Sequence, residues 1–485
     1  MTLHTVFFAL FTVLHLACIL AVIFVERKNP ASTIAWTMVL FFLPFIGFAA
    51  YLMFGSGFHV SQKRRFAVKQ ISDTIYRKIL SRYIEGCGAC SRNQDAPHER
   101  MIRYMENDGE YYSGDNNARI FTNGNTLFAA MLDDMRRAKK HIHLLYYIFR
   151  HDELGKEILS ILTQKAAQGV DVRVIYDSVG SMISRGRVFR ELQAAGGQVQ
   201  AFSPLFSSLF SSGAFSSHLR LNYRNHRKIT VIDGVVGYVG GMNIGDEYLG
   251  KSRLSPWRDT HLRLTGTTVS FLQERFLFDW TGIVGIDLAP AEIQSFFPQP
   301  LQQGRLGVQI VSSGPDVPGS AIKSGLLEMV YMARRNVFIQ TPYFTPDDSL
   351  FDALRIAAKS GVDVRLMIPA MMDHPFVHCA TYSYAHQVLE AGVKVYRYKG
   401  FLHAKTTVVD GQVATIGTAN FDNRSFSLNF EINAFIYNED FAAECEQIFL
   451  QDQENCLEYT DEWYRKRPAI VRGAYSLSRL FAPLI

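Results

Sequence analysis

Apolar positions are concentrated at the N-terminal end of the chain. Residues 1–25 contain no Asp, Glu, Lys or Arg, and neither do residues 29–62. Each run is longer than the ~20 residues that an α-helix needs to cross the ~30 Å hydrocarbon layer of a bilayer. We therefore predict two membrane-spanning helices, at about Leu3–Val25 and Ala31–Phe54, joined by a short turn at Asn29-Pro30.

The alternative for the first apolar run is a cleaved signal peptide. No Lys or Arg precedes this run and a second run follows at once, so the pattern favours a helical hairpin. Basic residues come directly after the second run, at Lys63, Arg64, Arg65 and Lys69. Because positive charge tends to remain on the cytoplasmic side, we expect a multi-pass membrane protein whose large C-terminal part is cytoplasmic.

The rest of the chain alternates strands with helices, and it does so twice. The pentapeptide Gly169–Arg173 recurs as Gly361–Arg365, and similar elements surround both copies. The predicted strands before the pentapeptides are Ile142–Phe149 and Val337–Phe344, and the predicted helices are Gly155–Gln168, Arg187–Ala195, Ser349–Lys359 and Tyr384–Ala391. Such alternation predicts βαβ units, and hence an α/β domain made twice.

These patterns divide the chain into four predicted segments. A transmembrane helical hairpin covers residues 1–57, and a polar, turn-rich connector covers residues 58–115. The first α/β domain covers residues 116–300 and the second covers residues 301–485. Two similar halves ordinarily pack about a pseudo-twofold axis, which places equivalent residues opposite each other. The predicted fold class is therefore α/β, with two duplicated domains behind a membrane anchor.

Each half contains one copy of the pattern H-x-K-x4-D-x6-G-x2-N. The copies consist of His226, Lys228, Asp233 and Asn243 in the first half, and of His403, Lys405, Asp410 and Asn420 in the second. Asp-Gly between two β-rich runs predicts a hairpin. The His and Lys are two residues apart on a strand, so both side chains leave from one face. A lone H-x-K is ordinarily just part of a surface strand, but the duplicated pattern favours a functional site.

The predicted site carries two imidazoles, two ammonium groups and two carboxamides. Lys and Asn side chains can bind the oxygens of a phosphodiester, so we expect neither a metal nor another cofactor. A neutral imidazole can attack phosphorus while a protonated one donates to the leaving alcohol, and a covalent phospho-histidine results. The two aspartates complete the predicted catalytic set, although their place at the turns suggests that they hold hydrogen bonds rather than react.

Three other features carry weaker signals. His261, in the stretch Trp257–His261, is either a core residue or a side chain that orients His226 or His403. Cys87 and Cys90 form one CxxC, but no second pair completes a zinc site, so a metal or redox role is disfavoured. The net charge of +5 is too mild to indicate nucleic acid and fits contact with anionic lipid headgroups.

The two motifs resemble the paired HKD motifs of the phospholipase D superfamily. Arg224–Lys228, and Asn420–Phe426 with Asn429 and Glu431, resemble in particular the bacterial cardiolipin synthase family, and the N-terminal apolar segment resembles that family's membrane anchor. The resemblance implies two phospholipase D-like α/β domains in a protein that is anchored to the bacterial inner membrane. It also implies that two phosphatidylglycerol molecules are joined into cardiolipin with release of glycerol.

The resemblance further assigns roles to individual residues. It makes His226 and His403 the nucleophile and the acid/base pair, with His226 favoured as nucleophile, and it places Glu431 beside the site. The expected partners are phosphatidylglycerol and the membrane, with no nucleic acid and with a homo-oligomer as an option.

The motif alone leaves other activities open. The same site would serve a phospholipase D-type hydrolase of phospholipid or nucleic acid, and a scaffold that only binds anionic lipid is the non-enzyme alternative. The first half also has a longer stretch before its motif than the second. There the apolar residues recur at helical spacing, at Phe202, Leu205, Phe206, Leu209 and Phe210. We predict an amphipathic helix, either dipping into headgroups at the pocket mouth or packing on the domain's own core.

Overall fold

The computed structural model describes residues 3–24, 30–54, 96–181, 186–202, 223–285, 288–299, 304–317 and 319–481. The chain forms two units, an N-terminal apolar unit and a larger α/β unit, which are described separately. Several predicted features lie outside the described residues. These are the turn at Asn29, the basic residues 63–69, the CxxC at Cys87 and Cys90, and the amphipathic segment beyond Phe202.

The N-terminal unit contains three helices, α1 (Leu3–Phe24), α2 (Pro30–Phe42) and α3 (Pro44–Phe54). The ring of Phe11 stacks on that of Phe45 with 4.4 Å between centroids, and Trp36 packs edge-on against Tyr51 at 5.4 Å. These aromatic contacts hold the apolar helices together within the unit.

The second predicted span is interrupted, so the hairpin prediction is supported only in part. Within the described residues, only His4–Phe24 forms a helix long and apolar enough to cross a membrane. The apolar run after it is divided at Leu43, between α2 and α3. Pro44 has no amide hydrogen and disfavours the helical conformation of the residue before it, which explains the division.

The α/β unit is built on a mixed sheet of 15 strands in the order β19-β13-β12-β10-β15-β16-β18-β9-β1-β8-β6-β5-β2-β3-β4. Its strands are β1 (Tyr112–Phe121), β2 (His141–Tyr146), β3 (Asp171–Asp177), β4 (Gln198–Phe202), β5 (Ile229–Ile232), β6 (Val236–Gly240), β8 (His261–Thr265), β9 (Leu306–Ser313), β10 (Asn336–Gln340), β12 (Asp363–Pro369), β13 (Lys394–Tyr398), β15 (Thr406–Val409), β16 (Val413–Gly417), β18 (Glu431–Tyr437) and β19 (Cys456–Tyr459). Two short ladders pair β7 (Trp257–Arg258) with β14 (Phe401–Leu402), and β11 (Phe344–Thr345) with β17 (Phe421–Asp422).

The strand order confirms the internal duplication. The halves meet where β1 pairs antiparallel with β9, and the strands then follow in the same order outward on both sides. The antiparallel hairpins β5–β6 and β15–β16 are equivalent, and each carries one predicted motif. The β19 strand extends only the second half.

Helices cover both faces of the sheet. They are α4 (Glu99–Asn107), α5 (Gly124–Arg137), α6 (Glu153–Ala167), α7 (Arg190–Ala194), α8 (Thr268–Val284), α9 (Pro290–Ser295), α10 (Ala321–Met332), α11 (Asp348–Lys359), α12 (Pro375–Glu390), α13 (Asn423–Ser427), α14 (Glu439–Glu454), α15 (Asp461–Arg465) and α16 (Ala469–Phe481). One core, which includes α8 and α14, runs across both halves. The opposite face has a separate core in each half.

The predicted connector contributes to the folded unit. Met101, Ile102 and Met105 of α4 are buried in the core of the second half, although α4 precedes the first half in sequence. The first strand, β1, begins at Tyr112, within the segment predicted as connector.

The two motif aspartates hold the hairpin turns. Asp233 and Asp410 have φ values of 53° and 54°, in the left-handed region that L-residues rarely adopt. The Asp233 carboxylate accepts hydrogen bonds from three consecutive backbone N–H groups, those of residues 139–141. Asp410 does the same for residues 334–336. Each aspartate thus ties its hairpin to the loop that enters the neighbouring strand.

Replacing Asp410 with alanine removes these acceptors and places a β-carbon without polar compensation in the left-handed region. We expect the free energy of unfolding to fall by about 2–3 kcal/mol, because three N–H groups in part-buried hydrogen bonds lose their acceptor. The midpoint of thermal unfolding, followed by circular dichroism, measures the effect. Asp352→Ala, which removes an exposed partner of Arg355, is the control, and equal midpoints for the two variants would contradict this role of Asp410.

Candidate active site

Each motif histidine is tied by its backbone to the opposite half. The N–H of His226, just before β5, donates to the carbonyl of Phe430 at 2.9 Å, and the N–H of His403 donates to that of Arg258 at 2.7 Å. The acceptor residues directly precede, in sequence, Glu431 and Asp259, respectively. Both histidine-bearing segments are therefore positioned next to a carboxylate from the other half.

The histidine side chains then reach across to those carboxylates. Nδ1 of His226 lies 3.0 Å from both carboxylate oxygens of Glu431. Nδ1 of His403 lies 2.6 Å from Oδ2 of Asp259. Each half thus supplies the carboxylate that holds the histidine of the other half.

The two carboxylates occupy equivalent positions in the sheet. Gly240 of β6 pairs with His261 of β8, and Gly417 of β16 pairs with Asn433 of β18. Asp259 and Glu431 each lie two residues before the paired position on the second strand. The pseudo-twofold symmetry therefore extends from the strands to the histidine–carboxylate pairs.

Charge determines which atom of each pair carries the proton. Burial raises the pKa of Glu431, but the nearby His226 and Lys228 outweigh it and hold this pKa below its usual value. His403 and Lys405 likewise outweigh burial at Asp259 and lower its pKa. Ionised carboxylates only accept hydrogen bonds, so Nδ1 of each histidine is the donor. The lone pair of each neutral imidazole is then on Nε2.

Both imidazoles are neutral at pH 7. Burial lowers the pKa of His226 to about 4 against the opposing charge of Glu431, and Lys228 and Lys405 lower it further. Burial and the Lys405 charge lower the pKa of His403 to about 4, and Lys228 adds to this effect. Because each lysine acts on the histidine of the other motif, the two motifs converge on one site.

Both lysines are buried beside the histidines. Nζ of Lys228 donates to the carbonyl of His226 at 2.7 Å, and Nζ of Lys405 donates to that of His403 at 2.5 Å. Burial lowers the pKa of Lys228 to about 7 and that of Lys405 to about 8. Two ammonium groups this close to losing their protons favour a ligand that brings negative charge.

The motif asparagines hydrogen-bond to neighbouring loops, and the motif aspartates hold the turns, as their position in the sequence suggested. Oδ1 of Asn243 accepts from the N–H of Ile148, and its Nδ2 donates to the hydroxyl of Tyr248 at 3.0 Å. The side chain of Asn420 hydrogen-bonds to Asp422. These amides therefore hold loops around the site rather than offering both donors to a phosphate. The carboxylates of Asp233 and Asp410 bind backbone N–H groups at the opposite ends of β5 and β15 from the histidines.

His261 does not orient either motif histidine through a hydrogen bond. It is fully buried, and within the described part of the chain neither ring nitrogen has a hydrogen-bond partner. Burial lowers its pKa to about 3, so the ring is neutral. Within the stretch Trp257–His261, the side chain that hydrogen-bonds to His403 is that of Asp259, which was not among the predicted site residues. The signal that could have identified Asp259 is its equivalence to Glu431, because each carboxylate lies two residues before the residue that pairs with the motif glycine.

The two carboxylates differ in their surroundings. Glu431 also accepts from the hydroxyl of Thr418 at 2.5 Å and from the amide of Asn429 at 3.1 Å. In the first half, Gly241 replaces Thr418, and a β-carbon there would lie only 2.1 Å from Oδ1 of Asp259. The Asp259 carboxylate therefore leaves room only for glycine at position 241, whereas the Glu431 carboxylate leaves room for the Thr418 side chain and accepts its hydrogen bond.

A buried guanidinium donates a hydrogen bond to the backbone carbonyl of each carboxylate residue. Arg227 donates to the carbonyl of Glu431 at 3.1 Å and pairs with Asp279 of α8 at 2.9 Å. Arg258 donates to the carbonyl of Asp259 and pairs with Asp452 of α14. Arg227 belongs to the first motif, whereas Arg258 directly precedes the carboxylate residue Asp259 in sequence. In the second motif, Ala404 stands at the position of Arg227. The two halves thus place a guanidinium group at the equivalent carbonyl from different positions in the sequence.

Comparison with known proteins agrees with this geometry. The family model described as cardiolipin synthase, PLD-like domain, matches residues 131–253 and 326–453, which is more than half of the chain. The major cardiolipin synthase ClsA of Bacillus subtilis (strain 168) is 43% identical, with 100% of both chains covered. The chain belongs to the cardiolipin synthase family.

Further matches extend over the other parts of this cardiolipin synthase family member. The model described as Phospholipase D-nuclease N-terminal matches residues 13–56. The cardiolipin synthase of Oceanobacillus iheyensis is 41% identical, with 98% of each chain covered. The crystal structure of phosphatidylserine synthase from Haemophilus influenzae Rd KW20 has a TM-score of 0.59 at 14% identity, covering 80% of this chain and 100% of its own. The predicted duplicated phospholipase D-like fold is confirmed, and the apolar N-terminal helix agrees with membrane association.

Removing the charge of either carboxylate should disable this family member without unfolding it. Asp259→Asn and Glu431→Gln keep the shape but no longer select the Nδ1–H tautomer, so we expect phospholipid turnover to fall at least about 10–100-fold. Turnover, its pH profile and the thermal midpoint should be measured together. Asp133→Asn, on the exposed surface of α5, is the matched control, and wild-type turnover in Asp259→Asn would refute the role of that pair.

Proposed function

We propose that this protein condenses two phosphatidylglycerol molecules into cardiolipin and glycerol through a covalent phosphatidyl-histidine intermediate. The observation that carries the proposal is the pair of neutral histidines, each held at Nδ1 by a buried carboxylate and flanked by a buried lysine. Full-length relatives named cardiolipin synthase, 41–43% identical, support the choice of substrate and product.

The first step forms the intermediate. Nε2 of His226 attacks the phosphorus of one phosphatidylglycerol, and the bond from phosphorus to the glycerol headgroup oxygen breaks. His403 supplies the proton that lets glycerol leave as an alcohol. The phosphate anion favours a protonated His403, because its negative charge opposes burial and the lysine charges, which lower the pKa of this histidine. Lys228 and Lys405 neutralise the anionic oxygens.

The second step resolves the intermediate. His403, now neutral, accepts the proton of the headgroup hydroxyl of a second phosphatidylglycerol. That oxygen bonds to phosphorus as the bond to Nε2 of His226 breaks. The products of the two steps are one cardiolipin and one glycerol, and both histidines return to their starting charge.

The surroundings of the two carboxylates support His226 as the nucleophile. Besides His226, Glu431 accepts hydrogen bonds from the side chains of Thr418 and Asn429. Within the described residues, Asp259 accepts only one besides that of His403, from the N–H of Thr260. Glu431 is therefore the weaker acceptor for its histidine. Asp259 makes the shorter bond, 2.6 Å to His403. A stronger carboxylate partner favours the protonated form of His403, which suits the acid/base role.

We also propose the membrane arrangement and segment limits expected from the sequence. Residues 1–57 would anchor the chain as a multi-pass helical hairpin, residues 58–115 would connect it, and the α/β domains at 116–300 and 301–485 would lie on the cytoplasmic side of the bacterial inner membrane. The basic residues 63–69 after the apolar segment support this sidedness.

Product analysis tests the reaction. The purified full chain in detergent with phosphatidylglycerol should form cardiolipin and glycerol in equal amounts, and His226→Ala and His403→Ala should each abolish turnover. His151→Ala, an exposed histidine, is the control. Phosphatidic acid as sole product would make the protein a hydrolase, and absence of turnover would make it a lipid-binding scaffold.

The lysine and histidine pKa values predict a bell-shaped dependence of kcat/KM on pH. Above about pH 7–8, Lys228 and Lys405 lose their protons and with them the charge that attracts the phosphate, so kcat/KM should fall. Below about pH 4, protonation removes the Nε2 lone pair with which His226 attacks phosphorus, and kcat/KM should fall again. Initial rates in mixed micelles between about pH 4 and pH 10 measure both limbs. A constant kcat/KM between about pH 6 and pH 10 would show that these lysines do not bind the phosphate.

A further inference from the structure

The C-terminal helix α16 presents apolar side chains to solvent. Tyr475 and Ser478 on one of its faces are buried against α12. On the opposite face, Ile470, Leu477 and Leu480 are 82%, 58% and 65% exposed. At about 100° per residue these three fall within one narrow arc of the helix. A helix that buries Ser478 and leaves Ile470, Leu477 and Leu480 exposed is typical of a surface that another apolar phase covers.

The buried face of α16 shows how this helix packs against α12. The ring of Tyr475 lies 5.8 Å from that of Tyr382, and Ser478 hydrogen-bonds to Cys379. Since one helix ascends in sequence as the other descends, the two are antiparallel. The end of α16 therefore lies beside the loop before α12, where Met372 is 52% exposed.

The same loop borders the candidate active site. Its Asp373 accepts a hydrogen bond from the hydroxyl of Tyr343, which follows β10. The charge of Asp373 also acts to raise the pKa of Lys405, which places the loop within electrostatic reach of that motif. One end of the apolar surface thus lies next to the group that would hold a phosphate.

Positive charge lies on the side of α16 next to Leu480, where Arg472 and Arg479 are about 80–100° from that residue at about 100° per residue. Residues 463–485 contain five Lys and Arg and no Asp or Glu. Arg465 and Lys466 pair with the preceding Asp461 and Glu462, whereas the remaining three, at positions 467, 472 and 479, lie on or just before α16. Apolar helix faces flanked by cations bind anionic bilayer surfaces.

The charge also argues against a second copy of the chain as the occupant. In a twofold dimer the same surface meets itself, so the cations of one helix would face those of its partner. Like charges brought together in this way oppose association. An anionic phospholipid surface is complementary to the same cations.

We propose that α16 and Met372 form an interfacial surface that lies in the headgroup region of an anionic phospholipid bilayer and holds the entrance of the site against its lipid. This contact is additional to the N-terminal apolar segment. It does not depend on which reaction the site performs.

Depth-dependent quenching tests the contact without any measure of turnover. The full chain, with its native cysteines replaced by serine, would carry an NBD label at Leu477→Cys in vesicles of phosphatidylglycerol and phosphatidylcholine. Lipids spin-labelled in the acyl chain should quench it at least about twofold more than a label at Ile356→Cys, a residue 52% exposed on α11. Equal quenching at the two positions would overturn the proposal, whether or not the proposed reaction occurs.

Turnover provides a second test where the labelled variants fold poorly. Leu477→Ser with Leu480→Ser should lower turnover of phosphatidylglycerol in vesicles about tenfold, with turnover in detergent micelles and the thermal midpoint unchanged. Ile356→Ser is the matched control. Unchanged turnover in vesicles, accompanied by conversion of a dimer to a monomer, would show that the surface binds a second copy instead.

Discussion

The site depends on an exchange of hydrogen bonds between the two halves of the chain. Each histidine is held by a carboxylate that it meets only after the halves have packed, Glu431 for His226 and Asp259 for His403. Neither half holds its own histidine, so a functional site requires the β1–β9 junction and the core that crosses it. The duplication therefore provides each half with a carboxylate partner for its histidine from the other half.

The electrostatics of the site follow from this exchange. Two histidines, two lysines and two carboxylates share a buried volume, where uncompensated charge is costly. The histidines give up their protons, the lysine pKa values fall to about 7 and 8, and the carboxylates keep their charge because the cations surround them. The site is thereby prepared for one anionic phosphodiester.

The symmetry is approximate, and its exceptions are informative. Thr418 donates to Glu431, whereas Gly241 at the equivalent position leaves room for Asp259. Arg227 and Arg258 support the two carboxylate residues from different strands. Such differences let two copies of one domain take unequal roles: besides its histidine, Glu431 accepts from two side chains, whereas Asp259 accepts from one backbone N–H.

The sequence by itself determined the apolar N-terminus, the duplicated α/β pattern, the two hairpins and the His and Lys of the site, because period-two strands, Asp-Gly turns and repeated spacing are local signals. It also pointed to Glu431 through resemblance. Only the tertiary structure decided that Asp259, not His261, holds His403 and that the motif asparagines hold loops. The paired residues lie 205 and 144 positions apart, and no local pattern of apolar and polar residues records which distant side chains a pseudo-twofold axis brings into contact.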